Sequence, residues 1–138
     1  MRFVVDASVA VKWFVPEDFE SEAVRLLNGS NSFHVPDLIY PEFCNVIWMK
    51  VRRDEITSAE GEQIVSAFMK FKWSTYSHNE IIEAAFAGAT ASDETVYDWT
   101  YLALAVSLSC EMVTADRKFY RALEPTNLRK NLRWIGDV

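Results

Sequence analysis

Two apolar runs in this chain end in an aspartate: Arg2-Phe3-Val4-Val5-Asp6 near its start, and Met112-Val113-Thr114-Ala115-Asp116 far along it. Short runs rich in β-branched residues predict strands buried on both faces, as in a parallel sheet. Phe33-His34-Val35 and residues 132–135 read as further short strands, and Trp73-Ser74-Thr75-Tyr76 alternates as a strand does, so strands are expected at 2–5, 33–35, 73–76, 112–115 and 132–135. Between them, apolar positions recur at helical spacing. Val9 to Phe14 predicts a helical turn stopped near Pro16, and Glu17 to Asn28 a helix closed by Asn28-Gly29. Pro41 opens a helix to about Arg53, with Glu42 in its first turn. Thr57-Ser58-Ala59-Glu60 is a capping box for a helix to about Lys72, and Ser77-His78-Asn79-Glu80 reads as another. The small residues from Gly88 to Asp93 predict a break before an apolar helix from Thr95 to Ser109, and 119–123 a short helix. Strands alternating with helices predict a single α/β domain over residues 1–138, with a five-stranded, mostly parallel sheet.

Composition narrows the class. Half of the 138 residues are apolar and 14% are aromatic, which excludes a disordered chain. No apolar run approaches the ~20 residues of a membrane helix, and Phe3-Val4-Val5 is too short for a signal-peptide core. Cys44 and Cys110 match neither a zinc site nor a disulfide framework, so buried free thiols in the cytoplasm are expected. Four scattered glycines form no phosphate-cradling loop. The net charge of −6 argues against a nucleic-acid partner on bulk alone. Its distribution changes that picture. Residues 1–110 carry eight Lys and Arg against sixteen Asp and Glu, whereas residues 111–138 carry six against four, with Arg117, Lys118 and Arg121 just after Asp116. That cluster is either a solvated face or a phosphate-contacting patch.

Open α/β sheets bind ligands beyond the carboxyl ends of their strands. Asp6 and Asp116 end strands there, Glu42 opens the helix after the second strand, and Asp98 lies in the first turn of the helix before the fourth. Four converging carboxylates repel, and a hard divalent cation relieves the conflict. Such an ion polarises a phosphoryl oxygen and lowers the pKa of water, which points to phosphodiester hydrolysis. Each acid also has a local role open to it. Asp6 and Asp116 can cap the helices that follow, Glu42 suits a helix dipole, and Asp98 can pair with Thr95 in a capping box. His34 and His78 are isolated and read as structural, and no catalytic triad is supported. Ser8 reads as a hydrogen-bond donor to a carboxylate or to water. Glu17 reads as a solvated helix position, Asp37 is ambiguous, and Trp13, Phe14, Trp48 and Phe68 are candidates for an exposed partner groove.

Residues 4–14 (Val-Val-Asp-Ala-Ser-Val-Ala-Val-Lys-Trp-Phe), Pro36-Asp37-Leu38 with Glu42, Tyr97-Asp98 leading into Tyr101 to Ala105, and Val113-Thr114-Ala115-Asp116 together resemble the PIN-domain ribonucleases. They look most like the VapC toxins of VapBC toxin–antitoxin systems. That resemblance implies a three-layer α/β/α fold with Asp6, Glu42, Asp98 and Asp116 holding Mg²⁺ or Mn²⁺, supported by the hydroxyls of Ser8 and Thr114. It also implies endoribonuclease cleavage of structured RNA such as tRNA or rRNA, a homodimer, and a VapB-type antitoxin as partner. A PIN nuclease outside a toxin–antitoxin pair, or a PIN-like module that binds without cutting, stand as alternatives. Trp99 is bulkier than the small residue the resemblance leads one to expect there, with consequences for helix packing or a partner surface.

Overall fold

The computed structural model describes residues 1–138. Its strands are β1 (Arg2–Val5), β2 (Ser32–Pro36), β3 (Ser74–Tyr76), β4 (Glu111–Thr114) and β5 (Leu132–Trp134). They form one sheet in the order β3-β2-β1-β4-β5, and every pairing is parallel. The helices are α1 (Ala7–Ala10), α2 (Glu20–Leu27), α3 (Ile39–Arg52), α4 (Ser58–Met69), α5 (Ile82–Ser92), α6 (Val96–Ser107) and α7 (Arg117–Leu123). The chain steps from β1 outward to β3, then crosses back to β4. With right-handed crossovers, this reversal sets α1 to α4 on one face and α5 to α7 on the other, giving three layers. Accordingly α3 packs on α1 and α4, while α5 packs on α6. The switch in direction falls between β1 and β4, so the ligand crevice of such a sheet opens at their carboxyl ends.

Buried Val4, Val5, Met112 and Val113 explain why the two central strands read as unbroken apolar runs. The boundaries of β1, β2 and β4 follow the sequence closely. Other expectations need correction. Gly88 to Ser92 continues α5 without a break. The reason is Trp99, whose indole lies so close over Gly88 that a Cβ there would sit 2.2 Å from Trp99 Cε3. The bulky Trp99 therefore shapes helix packing: it is buried in the α5–α6 contact and its Nε1–H donates to Ser92 Oγ at 2.7 Å. The Thr57–Glu60 capping box is complete. Ser77 instead accepts from Asn79 N–H and opens a short 3₁₀ turn, His78–Glu80, ahead of α5.

The expected partner groove of Trp13, Phe14, Trp48 and Phe68 does not exist as such. Phe68 is fully buried and stacks on Phe43 with ring centroids 3.9 Å apart. Phe14 meets Phe43 and Phe68 edge-on, and Trp13 stacks on Phe71 and Trp73 while its Nε1–H donates to Ala23 O. Only Trp48 is exposed, on the rim of an apolar groove of about 440 Å³ between α3 and α4 lined by Cys44, Ile47, Val51 and Val65. Glu17 is also not a solvated helix position. It precedes α2 and joins the nearly buried Lys12 (3.2 Å) to Lys50 (2.7 Å). Both cysteines are free and half-buried.

Candidate active site at the carboxyl edge of the sheet

At the end of β1 the chain turns sharply into α1, and Asp6 caps that helix by accepting Val9 N–H at 3.1 Å. The same carboxylate is buried and reaches across to β4. Thr114 donates its hydroxyl to Asp6 Oδ2 at 2.6 Å, and Ser8 donates to Asp6 Oδ1. Ser8 Oγ in turn accepts Ala115 N–H at 3.1 Å, and Thr114 Oγ1 accepts Asp116 N–H at 3.0 Å. Two hydroxyls thus knit the ends of β1 and β4 into one hydrogen-bonded seam. Asp116 caps α7 through Phe119 N–H at 3.0 Å. Asp98 N–H donates to Thr95 Oγ1 at 3.1 Å at the start of α6. The local capping roles open in the sequence are therefore real for Asp6 and Asp116. They leave further carboxylate lone pairs free, since an ionised carboxylate has about four acceptor sites.

Electrostatics joins these acids to one another. Burial pushes the Asp6 carboxyl up to about 6, against hydrogen bonds from Ser8, Thr114 and Val9 that favour its charged form, and Asp98 adds repulsion. Burial also pushes Glu42 up to about 7, reinforced by the charges of Asp6 and Asp98. Asp98 is raised by burial and then by Asp116, with Thr95 and Lys118 opposing. Asp6, Glu42 and Asp98 thus each feel at least one other of the four expected acids. This clustering costs free energy unless a cation or protons compensate it.

Tyr101 sits beneath the cluster, and its role is not visible in the sequence. It is fully buried, and its phenol is held far above its usual range by burial and then by Glu42, Asp6 and Asp98. Its hydroxyl makes no well-formed hydrogen bond, although Glu42 lies beside it. The available signal is its spacing of three from Asp98, which puts both on one side of α6. Tyr97 is exposed and, with Leu38, Pro41 and Glu42, lines a cavity of about 390 Å³ beside the acids.

The donor set suits a hard divalent cation: carboxylate oxygens, three of the carboxyls with raised pKa, and a buried hydroxyl lacking a partner. No three acidic, histidine or cysteine side chains converge as a ready-made cage. Mg²⁺ does not require one, because it keeps several waters and is commonly held by one or two carboxylates plus substrate phosphate. The histidines stay apart from the cluster. His34 Nδ1 meets Tyr76 Oη at 2.9 Å, and Nε2 meets Ser32 Oγ at 3.1 Å. His78 pairs with Asp37, the ambiguous acid, through both its ring and its backbone N–H.

Known proteins resemble this chain in sequence and in shape. The PIN domain family model matches residues 3–124. Ribonuclease VapC3 of Pyrobaculum aerophilum is 32% identical over 120 residues, covering 86% of this chain and 92% of that protein. Among solved structures, Mycobacterium tuberculosis VapC20, described as a sarcin-ricin loop cleaving toxin, superposes with a TM-score of 0.66 at 14% identity, over 88% of this chain and 95% of the other. A VapBC2 structure from Rickettsia felis, bound to a promoter DNA fragment, gives 0.64 at 12% identity, over 97% and 98%. With its fold, its strand-end acids and these matches in agreement, the chain belongs to the PIN-domain family, in its VapC-type branch.

Proposed function

We propose that this protein is a VapC-type endoribonuclease toxin in which Asp6, Glu42, Asp98 and Asp116 hold a divalent cation, Mg²⁺ or Mn²⁺. The observation that carries the reading is the placing of buried Asp6 at the β1/β4 switch point, seated by Ser8 and Thr114, with half-buried Glu42 and Asp98 near enough to repel it. When bound, the cation neutralises the acids, polarises the phosphoryl oxygen and lowers the pKa of attacking water. The chain's own residues do the positioning. Ser8 and Thr114 fix the Asp6 carboxylate through both of its oxygens, and Thr114 also orients the Asp116 backbone. Glu42 and Asp98 complete the carboxylate set from the first turns of α3 and α6.

A structured RNA is the substrate class, supported by the ribonuclease name of the relative and by the neighbour described as cleaving the sarcin-ricin loop. The VapBC structures of similar fold support a VapB-type antitoxin as partner. A homodimer and a cytoplasmic location complete this reading. The free thiols accord with a reducing compartment, and no helix is long and apolar enough to cross a membrane.

The test is cleavage of total cellular RNA by purified, antitoxin-free protein, with the new ends mapped. Discrete cuts with Mg²⁺ or Mn²⁺ are expected, lost in EDTA and lost in Asp98→Asn. Cuts that persist in EDTA overturn the metal reading. Absence of cuts together with no thermal shift on adding metal favours a non-cutting PIN-like module.

A further inference from the structure

Beside the acidic cluster, Arg117 makes no ion pair, although it follows Asp116 directly. Its guanidinium instead lies over the indole of Trp134, 4.6 Å from the ring centroid. We propose that Arg117, held over the Trp134 ring, is a stacking ledge for an RNA base flanking the scissile phosphate. The ledge rests on the ribonuclease reading above and adds a nucleobase subsite to it.

Three observations support the ledge. First, the indole is fixed. Phe19 packs edge-on against it at 5.5 Å, and Tyr120 lies 6.0 Å away. The backbone at Gly136 approaches so closely that a Cβ would fall 2.6 Å from Trp134 Nε1. Second, Arg117 is exposed, so the guanidinium face turned from Trp134 is open to solvent. A planar cation with one face occupied and the other free can stack on a base while its edge donors reach a phosphate, which a lysine cannot do. Third, the ledge is in the right place. Trp134 pairs in register with Thr114, and Thr114 bonds to Asp6. Two strand spacings, roughly 10 Å, therefore separate the Trp134 and Asp6 backbones. Lys118 and Arg121 are exposed on the same short helix and extend the cationic side of the crevice. In an acidic protein, this places attraction for RNA where the acids would otherwise repel it.

The experiment is fluorescence anisotropy with a labelled single-stranded twelve-nucleotide oligoadenylate and an abasic strand of equal length, both in EDTA to prevent cleavage. Wild type is compared with Arg117→Lys, Arg117→Gln and Trp134→Leu. Melting temperature controls for folding, and the exposed Arg117→Lys carries the test if Trp134→Leu fails to fold. Arg117→Lys is expected to weaken oligoadenylate binding about fivefold or more, the loss of one stacked base, while leaving the salt dependence and abasic binding unchanged. Arg117→Gln should also reduce the salt slope by about one phosphate contact. Equal binding of oligoadenylate by wild type and Arg117→Lys overturns the ledge, as does an equal loss on the abasic strand. A wild type that cuts cellular RNA yet ignores oligoadenylate also overturns it but leaves the nuclease reading standing. A wild type that does neither overturns both.

Discussion

Thr114 and Asp6, 108 positions apart, are joined by a hydrogen bond of 2.6 Å. The threonine hydroxyl donates to the carboxylate and accepts Asp116 N–H, so one side chain links two strand-end aspartates. Thr114 is fully buried. Thr114→Val keeps the shape and removes the hydroxyl. It should cost about 1–3 kcal/mol, because it leaves the part-buried Asp116 N–H without its acceptor and weakens the seat of a buried carboxylate. Thr114→Ser should restore most of that. Urea unfolding measures both, and a valine variant as stable as wild type would show the seam to be idle.

The acids strain the metal-free fold. Glu42→Gln or Asp98→Asn removes a charge that its neighbours repel. In EDTA either change should raise the melting temperature by several degrees, on the order of 1 kcal/mol, while abolishing metal-dependent cleavage. A lower melting temperature would mean that local hydrogen bonds outweigh the repulsion.

The same shifts set a pH dependence. The folded pKa of Asp6 is raised from 3.8 to about 6, and that of Glu42 from 4.5 to about 7. Between those limits the folded state binds more protons than the unfolded one, so its stability falls as pH rises through the window. In EDTA, the melting temperature should therefore decline from about pH 4 to pH 7, with this contribution levelling off above. A divalent cation competes with those protons, so Mg²⁺ should raise the melting temperature more at pH 8 than at pH 5. Thermal melts across that range decide the matter, and stability climbing with pH in EDTA would contradict the shifts.

Gly88 and Trp99 form a size-matched pair. Gly88→Ala forces a methyl into the indole and should destabilise by about 1–3 kcal/mol, despite alanine's better helix propensity. Combining it with Trp99→Leu should recover part of the loss, a non-additivity that a double-mutant cycle would read directly. Purely additive costs would deny the contact.

The strand-end aspartates were legible because parallel strands buried on both faces leave unbroken apolar runs, and a charge at their end stands out. Helix α6 and its Asp98 were legible from periodicity and from Thr95. What pattern cannot convey is which partner covers a residue. The small residues from Gly88 look like a break until Trp99 is placed over them. Phe14 and Phe68 look like free groove aromatics until Phe43 packs against both. Glu17 looks solvated until Lys12 and Lys50 arrive from different elements. Tyr101 and the Arg117–Trp134 stack escaped for the same reason, since their meaning depends on neighbours distant in sequence.

Strand β1 lies at the centre of the sheet, yet the ribosome makes it before the others. Its β2 side can be filled early in synthesis, whereas its β4 side waits for residues 111–114. Until then Asp6 lacks Thr114, Ser8 lacks Ala115, and Asp116 has not yet been made. A growing chain therefore carries no assembled centre until β4 docks on β1. Docking of β4, with β5 still to follow, is the step that brings the acids together.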